Sequence, residues 1–161
     1  MIKTIHKKNI KISLQILILI FAIIYLIYRP FYFTKIVGAS MEPTFIEGQI
    51  VIANSLDKNY FIKDIIIAEQ DSQLIIKRIA YVPGQKFICA DLGYRKFCPI
   101  PPLKNTKRQI EYLNSQGIKC GIYKVPRDHY FLIGDNDNNS EDSRNFGPVH
   151  KNQIKAKIIE F

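Results

Sequence analysis

Tryptophan is absent from this chain of 161 residues, which contains only three histidines and three cysteines. The cysteines show no CxxC or histidine spacing typical of a metal site, so we expect no metal and no other cofactor. No arginine-rich run with interleaved aromatics is present, which argues against a nucleic-acid partner despite a net charge of +9. Acidic residues are missing from residues 1–29, which carry five basic ones, whereas the remainder has 18 basic and 14 acidic residues.

Residues 12–28 form an uncharged apolar segment of 17 residues. As a helix it would reach about 26 Å, enough for a hydrocarbon core if Lys11 and Arg29 extend toward the headgroups. A cleaved signal peptide is the alternative, but no small-x-small site follows the segment. We therefore predict a single-pass anchor in the cytoplasmic membrane. The positive-inside rule then leaves residues 1–11 in the cytoplasm and residues 29–161 on the extracytoplasmic side.

The part of the chain beyond the anchor contains short apolar runs separated by turn residues, a pattern typical of strands. The predicted strands are Phe31–Val37, Gln49–Ala53, Phe61–Ala68, Leu74–Val82, Lys86–Ala90, His129–Ile133 and Gln153–Glu160. Residues 106–116 have helical spacing, and the proline-rich residues 98–102 are expected to be irregular. The fold class predicted is therefore mostly β, an antiparallel, barrel-like catalytic domain with a small loop–helix insertion at residues 89–122.

The three cysteines would lie on the extracytoplasmic side, where disulfides are common. An odd number fits one disulfide and one spare thiol. Cys89–Cys98 is the pairing we favour, because it closes a short loop, while Cys98–Cys120 and three reduced thiols remain alternatives.

Ser40 lies in the segment GASMEPT, residues 38–44, and its hydroxyl would be a nucleophile only with a base to take its proton. His6 is on the cytoplasmic flank of the anchor. His129 and His150 remain candidates for the base, although neither has a sequence context that calls for a catalytic histidine.

Lys77 is the other candidate base, because it lies in an apolar predicted strand. Alternation along that strand places Ile75, Ile79 and Tyr81 on its own face. Burial without a nearby carboxylate would lower the pKa of this lysine from its usual value of about 10.4. The alternative is an edge-strand lysine whose amine reaches solvent.

Residues 134–149 form a polar stretch, GDNDNNSEDSRNFGPV, after a predicted strand. Its many oxygen ligands suggest a calcium loop, but strands flank it and no glycine lies at its middle, so it does not fit the EF-hand pattern. We favour a loop that orders an active site, with Asp142 and Arg144 forming a structural ion pair.

Three motifs in this order resemble the type I signal peptidase family, membrane-anchored serine peptidases with a Ser/Lys dyad. The motifs are Ser40–Thr44, Lys77–Arg78 followed by Pro83–Gly84, and the polar stretch 134–149. The resemblance extends over residues 1–88 and 124–149.

The resemblance implies that Ser40 is the nucleophile and Lys77 the general base. Ser140 would hold the neutral lysine amine, and Asp142, Arg144 and Arg78 would support the site. The positions matching the family's substrate-binding residues are Ile36, Gly38, Met41, Phe45, Ile75 and Ile76. The backbone N–H of Ser40 would bind the oxyanion. Some family members have a hydroxyl residue at position 38 as a second oxyanion donor, so the glycine here leaves that donor undefined.

We therefore expect a signal peptidase I-type endopeptidase that cleaves signal peptides from exported preproteins, with membrane lipid as a further partner. Two alternatives remain open. One is a maturation peptidase dedicated to a conjugation or pilus system, and the other is a non-catalytic anchored scaffold of a secretion complex. The range of substrates, the oligomeric state and any contact with secretion or conjugation machinery are not defined by these motifs.

Overall fold

A computed structural model describes residues 15–27 and 29–160 of the chain. Residues 15–27 are helical (α1) and expose their apolar side chains. Within the described residues, no helix has both the length and the apolar character needed to cross a membrane. The predicted anchor, residues 12–28, extends beyond the described residues at both ends, and the predicted cytoplasmic segment 1–11 lies wholly outside them.

Ten strands, two further α-helices and two short 3-10 helices, Asp137–Asn139 and Lys151–Gln153, follow α1. The strands are β1 Phe31–Lys35, β2 Ile50–Asn54, β3 Ile65–Gln70, β4 Gln73–Tyr81, β5 Lys86–Asp91, β6 Cys98–Ile100, β7 Lys119–Lys124, β8 His129–Ile133, β9 Val149–His150 and β10 Ile154–Ile159. The helices are α2 Thr106–Ser115 and α3 Ser143–Phe146. The strands form a seven-stranded sheet of order β1-β2-β10-β3-β4-β8-β9 and a three-stranded sheet of order β6-β5-β7. All paired strands are antiparallel.

The seven-stranded sheet is apolar on both faces at its centre. Strand β3 lies between β10 and β4, and its residues Ile65, Ile66, Ile67 and Ala68 are all buried. Because side chains alternate along a strand, Ile65 and Ile67 join one apolar cluster, and Ile66 and Ala68 join the cluster on the other face. This explains why β3 has a continuous apolar run instead of an alternating pattern.

A third cluster joins the three-stranded sheet to the larger one. Phe87 of β5 stacks on Tyr81 of β4 with ring centroids 4.2 Å apart, and it meets Phe131 of β8 edge to face at 5.0 Å. Phe131 is fully buried. Aromatic packing therefore fixes the position of the smaller sheet beside β4 and β8.

The mostly β, antiparallel fold is confirmed, and each of the seven predicted strands has a counterpart. Helix α2 is also confirmed, with Asn105 capping its first turn by accepting from the Arg108 amide at 3.1 Å. The expectation of an irregular segment at residues 98–102 was wrong, because residues 98–100 form β6. Pro99 is tolerated there because β6 is an edge strand, where a missing N–H need not break a ladder.

The predicted insertion, residues 89–122, includes most of the three-stranded sheet in addition to α2, so its description as a loop–helix segment was incomplete. The bounds of this insertion, residues 89 and 122, remain a prediction.

The three cysteines are all free. Cys98 pairs with Ala90, so Cys98 and Cys89 point to opposite faces of the sheet, which argues against the favoured disulfide. Cys120 pairs with Ala90 from the other side. Two strand spacings, about 9.6 Å, then separate Cys98 from Cys120, beyond the roughly 7 Å limit for bridged Cα atoms. The structure agrees with the alternative of three reduced thiols.

Candidate active site

Ser40 lies in the turn between β1 and β2, and Asn136 holds that turn in place. The Asn136 amide donates to the Ser40 carbonyl oxygen at 3.0 Å, and its side-chain Nδ2 donates to the Ala39 carbonyl oxygen at 3.0 Å. Met41, the next residue, is 1% exposed and packs in the core. The backbone on both sides of the Ser40 hydroxyl is therefore restrained.

Lys77 lies on β4, opposite Ile66 of β3, and is only 4% exposed. Its Nζ donates a hydrogen bond to Ser40 Oγ at 2.7 Å. The alternative of an edge-strand lysine was wrong, because β4 lies between β3 and β8 and the amine is buried.

The surroundings of Lys77 lower its pKa, and burial is the main cause. The expectation that no carboxylate lies near Lys77 was wrong, since Asp142 and Glu141 both act to raise the pKa of this lysine. The Arg144 guanidinium acts in the lowering direction and partly offsets them. These acidic residues were missed because they lie more than 60 positions away in the sequence.

Asp142 is fully buried and lies at the centre of the hydrogen bonds within the polar loop, residues 134–149. It accepts hydrogen bonds from Arg144 Nε at 2.8 Å and Nη2 at 2.6 Å, so the two form a bidentate ion pair. It also accepts from the Arg144 amide at 3.1 Å, the Ser140 hydroxyl at 2.7 Å and the Gly134 amide at 3.0 Å. A buried carboxylate with five donors has its charge well compensated.

Ser140 is 8% exposed, and its hydroxyl donates to Asp142. No hydrogen bond joins Ser140 to Lys77 among the described residues. Because the Ser140 proton is directed to Asp142, only its lone pairs remain available to another group.

Gly134 ends β8 beside both Ser40 and Ser140. A Cβ at this position would lie 2.5 Å from the Ser40 carbonyl oxygen and 2.7 Å from Ser140 Cβ, closer than real side chains come. Only glycine therefore lets the two serine segments approach each other here. Gly134 and Asn136 both lie in the polar stretch, and no local sequence pattern indicates their contacts with the Ser40 segment.

Arg78, adjacent to Lys77, ties β4 to several other segments. Its Nε and Nη2 donate to the Asp135 carboxylate at 2.8 and 2.7 Å, and its Nη1 donates to the Lys63 carbonyl oxygen at 2.8 Å. Nη2 also lies 3.4 Å from the Thr44 hydroxyl. Burial raises the pKa of Asp135, but hydrogen bonds from Arg78 and Thr44 outweigh it and hold the pKa below its usual value.

A groove of about 260 Å³ runs past the Ser40–Lys77 pair. Four of the six predicted substrate-binding residues line it, namely Ile36, Met41, Ile75 and Ile76. Tyr32, Thr34, Lys35, Val37, Ile67 and Leu74 line it as well. A larger cavity of about 450 Å³ lies against the three-stranded sheet, but neither Ser40 nor Lys77 reaches it.

The other two predicted substrate-binding residues do not line the groove. Phe45 is 8% exposed and packs in the apolar core with Ile36 and Met41. Gly38 has a φ of +82°, which suits glycine, and its amide donates to Glu47 Oε1 at 3.4 Å.

The two histidines in the described part of the chain lie next to each other on β8 and β9. His129 pairs with His150 across β8 and β9, with ring centroids 5.0 Å apart. No hydrogen bond described for either ring reaches Ser40: His129 contacts the Arg127 carbonyl oxygen, and His150 accepts from the Asn152 amide. His6 lies outside the described residues.

A serine hydroxyl bonded to a buried lysine amine, beside an apolar groove, is the arrangement of serine hydrolases that use lysine as a base. Comparison with known proteins agrees with a serine peptidase. The family model described as signal peptidase, peptidase S26, matches residues 7–160. The chain therefore belongs to the signal peptidase S26 family, a family of serine peptidases, and the predicted resemblance is confirmed.

Bacterial and mitochondrial relatives support this assignment. The chain is 31% identical to "Signal peptidase I V" of Bacillus subtilis (strain 168) over 138 residues, which cover 78% of this chain and 82% of that protein. It is 29% identical to "Signal peptidase I" of Bacillus amyloliquefaciens over 169 residues, covering 96% and 90%. It is 30% identical to "Mitochondrial inner membrane protease subunit 1" of Homo sapiens over 128 residues, covering 76% of this chain but only 63% of that protein.

Proposed function

We propose that this protein is a membrane-anchored endopeptidase that removes signal peptides from exported preproteins, with Ser40 as nucleophile and Lys77 as general base. The observation that carries the proposal is the 2.7 Å hydrogen bond between Lys77 Nζ and Ser40 Oγ in a buried setting that lowers the pKa of the lysine. A lysine held neutral can accept the serine proton, which an ordinary surface lysine cannot do at neutral pH.

The proposed reaction is acyl transfer. Ser40 Oγ bonds to the scissile carbonyl carbon while its proton moves to Lys77 Nζ, and the Ser40 amide stabilises the oxyanion. The carbon–nitrogen bond then breaks as Lys77 returns that proton to the leaving amine. Lys77 next takes a proton from water, whose oxygen attacks the acyl carbon. The bond from that carbon to Ser40 Oγ then breaks as Lys77 returns the proton to Oγ.

Ser140 fits the role of orienting Lys77 in this scheme. Its hydroxyl proton is used by Asp142, so Ser140 Oγ would accept an N–H of the lysine and point the lone pair of Nζ toward Ser40. The ion pair of Asp142 with Arg144, and that of Asp135 with Arg78, would brace the segments that carry the two reacting side chains.

The apolar groove suits small side chains of an extended peptide, because Ile36, Met41, Ile75 and Ile76 leave a shallow space beside Ser40. We propose residues 12–28 as the anchor, with residues 1–11 in the cytoplasm and residues 29–161 outside. Phe31, Tyr32 and Phe33 of β1 are exposed immediately after it, as expected for aromatic side chains at a membrane interface.

Cleavage of a model preprotein in detergent, with the cut mapped by mass spectrometry, tests the proposal. We expect a cut after a small-x-small sequence by the full-length chain and none by the Ser40→Ala variant. A cut at another sequence would favour a dedicated maturation peptidase. Equal cleavage by the Ser40→Ala variant and the unsubstituted chain would rule out Ser40 as the nucleophile. No cleavage by either protein would leave the scaffold alternative.

A further inference from the structure

Arg95 lies in the turn between β5 and β6, outside the seven-stranded sheet, yet it reaches the polar loop. Its Nη1 lies 3.4 Å from Asp137 Oδ1, and its Nη2 donates to the Asp137 carbonyl oxygen. The Arg95 side chain is 14% exposed, although Tyr94 and Lys96 on either side of it are exposed. This is more burial than an ordinary surface ion pair requires.

Three other contacts join the same two segments. The Phe97 amide donates to the Arg144 carbonyl oxygen at 3.0 Å, and Asn145 Nδ2 donates to the Tyr94 carbonyl oxygen at 3.4 Å. The Phe97 ring lies beside Gly147, where an added Cβ would be 3.6 Å from Phe97 Cε2. The turn therefore contacts both ends of the loop that carries Ser140 and Asp142.

Asp137 connects Arg95 to the ion pair at the centre of the site. Its carboxylate also contacts the Arg144 guanidinium, so two cations share one acidic residue. Arg144 in turn holds Asp142, which accepts the Ser140 hydroxyl. A continuous series of contacts thus runs from Arg95 to Ser140.

We propose that Arg95 is a positioning residue, through which the three-stranded sheet holds the polar loop in its working position beside Lys77. This proposal rests on the function proposed above. Arg95 is not among the residues that line the groove, so it would act on the reaction only through Asp137 and Arg144. Displacements of about 1 Å among reacting groups can change rates by up to about a hundredfold.

The Arg95→Ala variant of the full chain, compared with Lys96→Ala, tests this. Both variants remove one positive charge from the same turn, but Lys96 is exposed and its side chain makes no hydrogen bond or ion pair among the described residues. We expect kcat of Arg95→Ala for a model preprotein to fall on the order of tenfold with KM unchanged. Lys96→Ala should match the unsubstituted chain, and Arg95→Lys should recover part of the loss.

The pH–rate profile separates positioning from a loss of folded protein. The charged groups that act on Lys77 are Asp142, Glu141 and Arg144, all on the polar loop. Loosening this loop would admit water to Lys77 and reduce the desolvation that lowers its pKa. The acidic limb of the Arg95→Ala profile should therefore move to higher pH.

Three results would overturn the proposal: a kcat for Arg95→Ala within twofold of Lys96→Ala, a change confined to KM, or a loss fully explained by a smaller folded fraction. A chain that cleaves no better than its Ser40→Ala variant would overturn the proposed function and this proposal together. If the unsubstituted chain is fully active and Arg95→Ala leaves kcat unchanged, this proposal alone is overturned.

Discussion

The two sheets of this protein both bury apolar side chains, but the buried charged side chains lie with the larger sheet and the polar loop beside it. Beside the larger sheet, buried charges are paired at short range, as with Asp142 and Arg144, and Lys77 contacts Ser40. The smaller sheet buries apolar and aromatic groups such as Phe87 and Ile88. Substitutions in the first region should change chemistry, whereas those in the second should mainly change stability.

Charge is also divided unequally between the two regions. Residues 86–124, which contain the three-stranded sheet, have eight basic and two acidic side chains. Residues 30–85 and 125–161 together have ten basic and twelve acidic side chains. The excess positive charge beyond residue 30 therefore comes from the smaller sheet and its connections, and Arg95 is the basic residue of this group for which we propose a role at the site.

Gly134→Ala should have the largest effect on activity among substitutions away from the dyad. The new Cβ would collide with the Ser40 carbonyl oxygen and with Ser140, so we expect kcat to fall on the order of a hundredfold. Overpacking of this kind also costs about 1–3 kcal/mol of stability. Gly121→Ala in β7 is the matched control, because a Cβ there meets nothing within 4 Å. Equal activity of the two variants would show that the approach of the two serines is unimportant.

Phe87→Ala tests the other half of the comparison. Removing a buried aromatic ring that packs on Tyr81 and Phe131 should lower the free energy of unfolding by about 3–5 kcal/mol. The kcat of the remaining folded protein should change only a few-fold. Urea denaturation gives the first quantity, with the exposed Tyr112 replaced by alanine as control. A stable but inactive Phe87→Ala protein would contradict the division of roles between the sheets.

The pKa of Lys77 should appear in the pH dependence of both activity and stability. Because burial lowers that pKa, kcat/KM should rise with pH through a value below 10.5. The unfolded chain keeps the lysine proton to higher pH than the folded chain does. The free energy of unfolding should therefore rise with pH between the folded-state pKa and about 10.4, relative to the Lys77→Met variant. A difference in urea midpoint between the two proteins that stays constant across this pH range would contradict a lowered pKa.

The cysteines should give the smallest effects. Alkylation of the unreduced, denatured protein should add three labels, because all three thiols are free. In the folded state Cys89 should react slowly at neutral pH, since burial raises the pKa of its thiol to about 11. Replacing Cys120 with serine should leave cleavage unchanged. Fewer than three labels, measured by mass spectrometry, would indicate a disulfide that the geometry of β5, β6 and β7 disfavours.

Local patterns were enough to predict most of the larger sheet. The apolar run at Ile65–Ala68 and the alternation around Lys77 are properties of a few consecutive residues, so the strands could be predicted from them. Strand β6 was missed because Pro99 normally interrupts strands, and only its edge position makes it acceptable. Strand β7 was missed because its lysines and Gly121 weaken the strand signal.

Contacts between distant segments set the limit of sequence reasoning about the site. Ser40 and Lys77 could be predicted as a reacting pair because the chain has few candidate bases and its motifs match a family. The link between Arg95 and Asp137 spans 42 positions and leaves no periodic signal in the sequence. Gly134 also gave no signal of its role, because the reason for glycine there is the approach of Ser40 from another part of the chain.

The most direct test of the Ser40–Lys77 pair is preprotein cleavage by the Lys77→Arg variant of the full chain. Arginine stays protonated at any working pH, so it cannot accept the serine proton. We expect no cleavage above the Ser40→Ala background, while Lys35→Ala, which changes the other lysine of the groove, should keep most activity. Near-full activity of a folded Lys77→Arg protein would contradict the assignment of Lys77 as the general base.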